Sequence, residues 1–129
     1  MPGTYLVDEE GNPINSINPL STTFNIDHTF HDAATSTGNG TALTVGSLKT
    51  LTIEIYGTSA SRTITFYGKG TSGTLRALMG VNLSSLTTGI NTTGTGEIWQ
   101  FEVTGLEYVV MDLTAVAGGN VTVKGRAVS

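Results

Sequence analysis

The feature that most constrains the fold of this chain is an alternation of apolar and polar residues with a period of two. It is clearest where Leu51, Ile53 and Ile55 alternate with threonine and glutamate. Such spacing puts apolar side chains on one face of a β-strand and polar ones on the other. Alternating runs occur at residues 24–31, 43–45, 50–56, 63–67, 75–83, 98–103, 108–113 and 121–127. The spacing of an amphipathic helix is not sustained anywhere in the sequence, and we therefore predict an all-β fold.

Turn-forming residues separate these runs. Glycine, serine, threonine and asparagine cluster at residues 37–40, 57–60, 87–96 and 118–120. Gly118, Gly119 and Asn120 predict a tight hairpin, because both residue types tolerate positive φ angles. Turns at intervals of about eight to twelve residues are typical of β-sandwiches and barrels. We predict an antiparallel β-sandwich, jelly-roll-like, with about eight strands.

The alternation also predicts which side chains face the core and which face solvent. The predicted inner face includes Phe24, Ile26, His28, Phe30, Leu51, Ile53, Ile55, Leu75, Ala77, Met79, Val81, Leu83, Trp99, Phe101 and Val103. The outer faces are rich in threonine and poor in charge, since only 12% of the residues are charged. Charged side chains normally protect exposed strands from pairing. A neutral outer face is suited to packing against copies of itself or a lattice, so we predict a homo-oligomer and favour a trimer.

The first 23 residues differ from the rest of the chain. They contain all three prolines, and Pro13 and Pro19 enclose a segment too short for a stable helix. We predict an extended N-terminal arm at residues 1–23 and a β-sandwich domain at 24–129. The alternative is a frayed terminus, a common fate of such segments. The apolar residues of the arm, which we predict to dock into pockets of a partner, are Leu6, Val7, Ile14, Ile17 and Leu20.

Several classes of protein are disfavoured by what the sequence lacks. There is no cysteine, and so no disulfide framework, thiolate metal site or cysteine nucleophile. No apolar run approaches 18 residues, and residues 1–10 lack the basic and apolar parts of a secretory signal. The pI is near 4.9 and basic residues do not cluster. We therefore expect synthesis in the cytoplasm, with neither nucleic acid nor a membrane as partner.

Residues 27–32 (DHTFHD) are the segment richest in metal-ligand residue types. Zinc and other transition metals need two or three such side chains that converge. In a regular strand, however, His28 and His31 point to opposite faces. We therefore interpret them as surface or edge histidines and predict no metal site.

A second candidate pair is Glu97 and Glu102, which flank Trp99 and Phe101. Two carboxylates beside aromatic rings are typical of glycoside hydrolysis. Their odd spacing sends them to opposite faces of a strand, so we predict no catalytic residues and no bound cofactor. Tyr56 and Tyr67 lie on the threonine side of their strands, where exposed aromatic contacts with a carbohydrate are plausible.

Strand and turn patterns along nearly the whole chain resemble small virion structural proteins from tailed phages and prophages of Gram-positive bacteria. The segments that carry the resemblance are 5–15 (YLVDEEGNPIN), 18–20 (NPL), 29–32 (TFHD), 38–41 (GNGT), 49–55 (KTLTIEI), 96–106 (GEIWQFEVTGL) and 117–125 (AGGNVTVKG). The resemblance implies a virion location and a non-enzymatic role as a capsid decoration or a head- or tail-associated component.

These observations together predict a virion structural protein that self-associates and attaches to other virion proteins, such as the capsid lattice, through its N-terminal arm. The alternative is a carbohydrate-binding or host-adhesion β-sandwich module. A hydrolase ranks last, because it requires the 27–32 segment to meet a carboxylate from another strand.

Overall fold

The computed structural model describes residues 24–129, which form eleven β-strands and no helix. The predicted arm, with Leu6, Val7, Ile14, Ile17 and Leu20, lies outside the described residues. The strands are β1 Asn25–Ala34, β2 Leu43–Thr44, β3 Thr50–Tyr56, β4 Ser61–Lys69, β5 Leu75–Ala77, β6 Gly80–Asn82, β7 Thr87–Gly89, β8 Asn91–Thr92, β9 Glu97–Glu102, β10 Tyr108–Ala117 and β11 Val121–Val128.

The strands form two antiparallel sheets that pack face to face as a sandwich. The larger sheet has the order β1-β11-β3-β9-β6-β7, and the smaller has the order β2-β10-β4-β5, with β8 also paired to β4. The all-β sandwich is thus confirmed, whereas the jelly-roll-like connectivity stays a prediction. The tight hairpin between β10 and β11 is also present, with positive φ angles of 73° at Gly118 and 145° at Gly119.

Eleven strands replace the eight that we predicted, because the run 75–83 forms two strands, β5 and β6, and two more short strands lie within a segment that the sequence marks as a turn. β7 and β8 contain three and two residues and lie inside the threonine- and glycine-rich stretch 87–96. Neither strand shows apolar alternation, since β7 is the sequence Thr-Thr-Gly. Backbone pairing with β6 and β4 defines them.

Three aromatic rings lie at the centre of the core between the sheets. The ring of Phe66 on β4 lies 4.9 Å from that of Trp99 and 4.8 Å from that of Phe101, both on β9. Such tilted and edge-to-face pairs add to the stabilisation that burial alone provides. These three buried rings join the two sheets near the middle of the sandwich.

The inward and outward faces of β6 are the reverse of the prediction. Gly80 and Asn82 are buried, whereas Met79 is 61% and Leu83 40% exposed. The reason is steric, because a Cβ atom on Gly80 would overlap the ring of Phe101. Only glycine fits at that inward position, so the alternating apolar residues of this segment face away from the core.

A second departure from the predicted core lies at the start of β1. Phe24 and Ile26 are exposed, although their spacing matches that of the buried Phe30. β1 is an edge strand of the larger sheet, and its burial begins only in the second half of the strand. Alternation predicts which face a residue occupies, but not whether the opposite sheet extends far enough to cover it.

We expect Gly80→Ala to destabilise the fold, because the added methyl group must displace the Phe101 ring. Overpacking of this kind costs about 1–3 kcal/mol. Urea denaturation measures the change in the free energy of unfolding. Gly70→Ala is the matched control, since a Cβ there meets no atom within 4 Å. Equal stability of the two variants would contradict the proposed role of Gly80.

Candidate functional site

His31 is a buried side chain that joins the two sheets. Its Nε2 donates a hydrogen bond to the carbonyl oxygen of Met111 on β10, at 2.6 Å. Along this edge of β10, β2 pairs with residues 108 and 109 and Gly38 pairs with Leu113, so Met111 lies in the gap between them. The imidazole thus satisfies a carbonyl group that lacks a strand partner at that point.

A β-bulge in β1 explains why His31 points inward. Thr29 pairs with Lys124 and His31 with Val123, so Phe30 is an extra residue in the ladder. A bulge lets consecutive residues point to the same side of a strand, and both Phe30 and His31 are buried. The prediction that the two histidines face opposite sides is therefore wrong, because it assumed an unbroken strand.

His28 faces the same side as His31 but makes separate contacts. Its Nε2 lies 2.9 Å from the carbonyl oxygen of Thr41, and its ring lies 4.5 Å from that of Phe30 in an edge-on arrangement. Among residues 24–129, no group of three or more His, Asp or Glu side chains is placed to hold a metal ion. The two imidazoles thus hold the loop after β1 and the edge of β10.

Glu97 and Glu102 lie on opposite faces of β9, as their odd spacing predicts. Glu97 Oε1 accepts hydrogen bonds from the indole Nε1 of Trp99 at 3.0 Å and from Thr92 Oγ1 at 2.6 Å. The backbone N–H of Gly94 also donates a hydrogen bond to Thr92 Oγ1, at 3.1 Å. Glu97 therefore anchors the core tryptophan and the loop before β9, while Glu102 is exposed.

Arg62 is a buried cation that the sequence analysis missed. It donates hydrogen bonds to the hydroxyl and carbonyl oxygens of Ser59, both at 2.8 Å, and to the carbonyl oxygen of Thr93 at 2.9 Å. Arg62 occupies an inner position of β4, two residues before Ile64, so the alternation contained the signal. Its guanidinium group joins the turn before β4 to the loop after β8.

The outer face of the larger sheet contains a concave surface of about 500 Å³. A bidentate pair lies on this surface, in which Arg126 Nε donates to Asp27 Oδ1 at 2.7 Å and Arg126 Nη2 donates to Asp27 Oδ2 at 3.3 Å. This hydrogen bonding, together with the positive charge, lowers the pKa of Asp27. Both side chains are exposed, so the pair adds little stability. The lining includes Asp27, Thr29, Thr50, Thr52, Glu54, Ile98, Gln100, Lys124, Arg126 and Val128.

The predicted aromatic contacts do not share a surface. Tyr56 is 39% exposed at the end of β3, in the larger sheet, whereas Tyr67 is half-buried on β4, in the smaller sheet. Trp99 and Phe101 are buried in the core. Tyr56 alone lies on the outer face that also contains Thr52 and Glu54 of the concave surface.

Within the described part of the chain, no helix is long and apolar enough to cross a membrane. Of the side chains considered above, Asp27, His28, His31 and Glu97 bond to neighbouring backbone or side-chain groups.

A model of the XepA family matches residues 24–127. The chain belongs to the XepA family. It is 43% identical over 127 residues to the protein YqxG of Bacillus subtilis strain 168, which covers 98% of this chain and 42% of YqxG. The family match thus extends across nearly all of the described sandwich.

Two crystal structures resemble the described fold. That of the SPBc2 prophage-derived protein YomS has a TM-score of 0.80 at 38% identity and covers 88% of this chain and all of YomS. That of the PBSX exported protein XepA has a TM-score of 0.85 at 30% identity and covers 96% of this chain and 48% of XepA. Both relatives occur in Bacillus subtilis strain 168. The chain is thus of a prophage-derived family and spans less than half the length of YqxG and XepA.

We expect His31→Leu to destabilise the fold by about 1–3 kcal/mol, because it leaves the buried carbonyl group of Met111 without a donor. His28→Leu is the control, since the carbonyl group of Thr41 is exposed and can bond to water instead. Chemical denaturation of both variants gives the comparison. The structural role of His31 is refuted if the two losses are equal.

Proposed function

We propose that this chain is a non-enzymatic structural component of a phage particle. It self-associates and attaches to other virion proteins, such as the capsid lattice, as a decoration or a head- or tail-associated component. The observation that carries the proposal is the set of hydrogen bonds made by His31, Glu97 and Arg62. Each of these side chains bonds to backbone or core groups that hold the sandwich together. The chain therefore contacts a partner through its outer surfaces.

The prophage origin of the family supports this setting. YomS and XepA come from prophages or phage-like elements, and XepA is described as an exported protein. A phage-associated location fits both descriptions. A chain made in the host cytoplasm reaches the virion by assembling onto it, which requires docking surfaces rather than a catalytic cleft.

The described fold begins at the edge of a sheet, a position that suits docking by the arm. The N–H of Phe24 donates to Ser129 Oγ at 3.1 Å, and its carbonyl oxygen accepts from the N–H of Ser129. Phe24 directly precedes β1, an edge strand of the larger sheet. An extended segment can add a strand to a sheet edge, with side chains such as Leu6 and Val7 entering pockets of the neighbour.

We expect the full chain to be oligomeric and its 24–129 fragment to lose attachment to particles of the encoding prophage. Light scattering after size-exclusion chromatography measures the mass, and co-sedimentation with purified particles measures attachment. A lattice multiplies weak contacts, so loss of the arm is expected to reduce attachment by about tenfold or more. A monomer at every concentration contradicts self-association, and undiminished attachment of the fragment contradicts docking by the arm.

The concave outer surface favours one alternative, a carbohydrate-binding or host-adhesion module. It presents the amide of Gln100 and the hydroxyl group of Thr52 on the same face as the exposed ring of Tyr56. Stacking on an aromatic ring with adjacent polar groups is a chemistry suited to sugars.

If the alternative holds, Tyr56→Ala abolishes binding to a glycan array. Tyr67→Ala, on the other sheet, serves as the comparison and leaves binding unchanged. An array on which the unaltered chain binds nothing removes this alternative while leaving the structural role intact.

A further inference from the structure

The outward-facing side of β6 and its hairpin forms an apolar surface that the fold itself does not use. We define the apolar patch as Met79, Val81, Leu83, Leu86 and Ile98. Val81 pairs with the exposed Gln100 of β9, which places it on the outer face of the larger sheet. Ile98 lies on the same face of β9, and its carbonyl oxygen accepts a hydrogen bond from the N–H of Leu83 at 2.8 Å.

Leu86 is the most unusual member of the patch. It is 77% exposed, and its φ angle of 58° lies in the left-handed region that favours glycine. Its N–H donates to the carbonyl oxygen of Asn82 at 2.7 Å and closes the hairpin between β6 and β7. Glycine satisfies this turn better, and a polar residue suits its exposure. Backbone strain combined with apolar exposure is typical of functional positions.

The chain segment that contains most of the patch is free of charge, although two exposed carboxylates of neighbouring strands border it, Glu54 opposite Ile98 and Glu102 on β9. Residues 77–96 contain no Asp, Glu, Lys or Arg, although the chain has a net charge of −4. β7 is the edge of the larger sheet, and it has none of the charged residues or prolines that normally protect an edge from pairing. An edge without such protection is open to pairing with the edge of a second chain.

We propose that the apolar patch and the edge at β7 are the surface through which one copy of this chain packs against a second copy. The inference deepens the proposed self-association and rests on it. The arm of the chain is a poorer occupant, because its Asp8, Glu9 and Glu10 have no cation to meet within residues 77–96. A partner recognised by its charge is disfavoured for the same reason.

Leu86→Gly separates a docking role from a structural one. Glycine adopts the left-handed conformation without strain, so the variant folds and its midpoint of thermal unfolding, measured at a concentration where both chains are monomeric, stays equal or rises. The loss of the most exposed apolar side chain of the patch is expected to raise the dissociation constant between copies about tenfold or more. Sedimentation velocity over a range of concentrations measures that constant. A variant that associates as well as the unaltered chain overturns the proposal.

Leu83→Asp places a charge at the patch and is expected to weaken association further, through repulsion between copies. Ala115→Asp is the matched control, because it puts the same charge on an exposed position of the smaller sheet. The surface is assigned wrongly if the unaltered chain is oligomeric and Leu83→Asp leaves its mass unchanged, or if both variants dissociate equally. An unaltered chain that is monomeric at all concentrations overturns the proposed self-association as well.

The 24–129 fragment tests whether the N-terminal arm, rather than a second sandwich, forms the contact. If it associates as tightly as the full chain, the arm does not form the contact, as the proposal expects. If association disappears with the arm while Leu83→Asp has no effect on the full chain, the arm forms the contact and the proposal fails.

Discussion

The packing of Phe66 between Trp99 and Phe101 is the constraint on which much of the remaining structure depends. These rings fill the space between the sheets so completely that the adjacent position on β6 accommodates only Gly80. Once glycine points inward there, the two-residue repeat requires Val81 to point outward. The central packing thus determines where apolar side chains reach the surface, and the hairpin after β6 continues that surface.

Polar side chains complete the core where strands are irregular. The bulge at Phe30 turns His31 towards a carbonyl group on β10 that has no strand partner, and Glu97 fixes the indole of Trp99. Buried polar groups with complete hydrogen bonding favour one arrangement of the sheets over alternatives. These are the residue types from which active sites are built, yet here they bond to the fold. Together with membership of a prophage-derived family, this supports a role in which surfaces recognise partners.

Much of the fold was predictable from the sequence, because period-two alternation reports strands directly. The long strands β3, β9, β10 and β11 and the hairpin at Gly118 and Gly119 follow from local pattern and turn chemistry. The inverted faces of β6, the bulge before His31 and the short strands β7 and β8 do not, since each depends on contacts with distant residues. For the same reason, alternation placed Met79 and Leu83 in the core, and the patch became visible only in three dimensions. The burial of Arg62 follows from its inner position on β4, although a cation there runs against the usual apolar content of a core.

The most direct test of this account is amide hydrogen exchange of the unaltered chain, measured at high and at low concentration. If function resides in surfaces that meet other copies, residues 80–89 gain protection as the concentration rises, while the already protected β3 and β10 change little. Exchange at residues 80–89 that is independent of concentration in a chain shown to be oligomeric would contradict the account, as would protection confined to the smaller sheet.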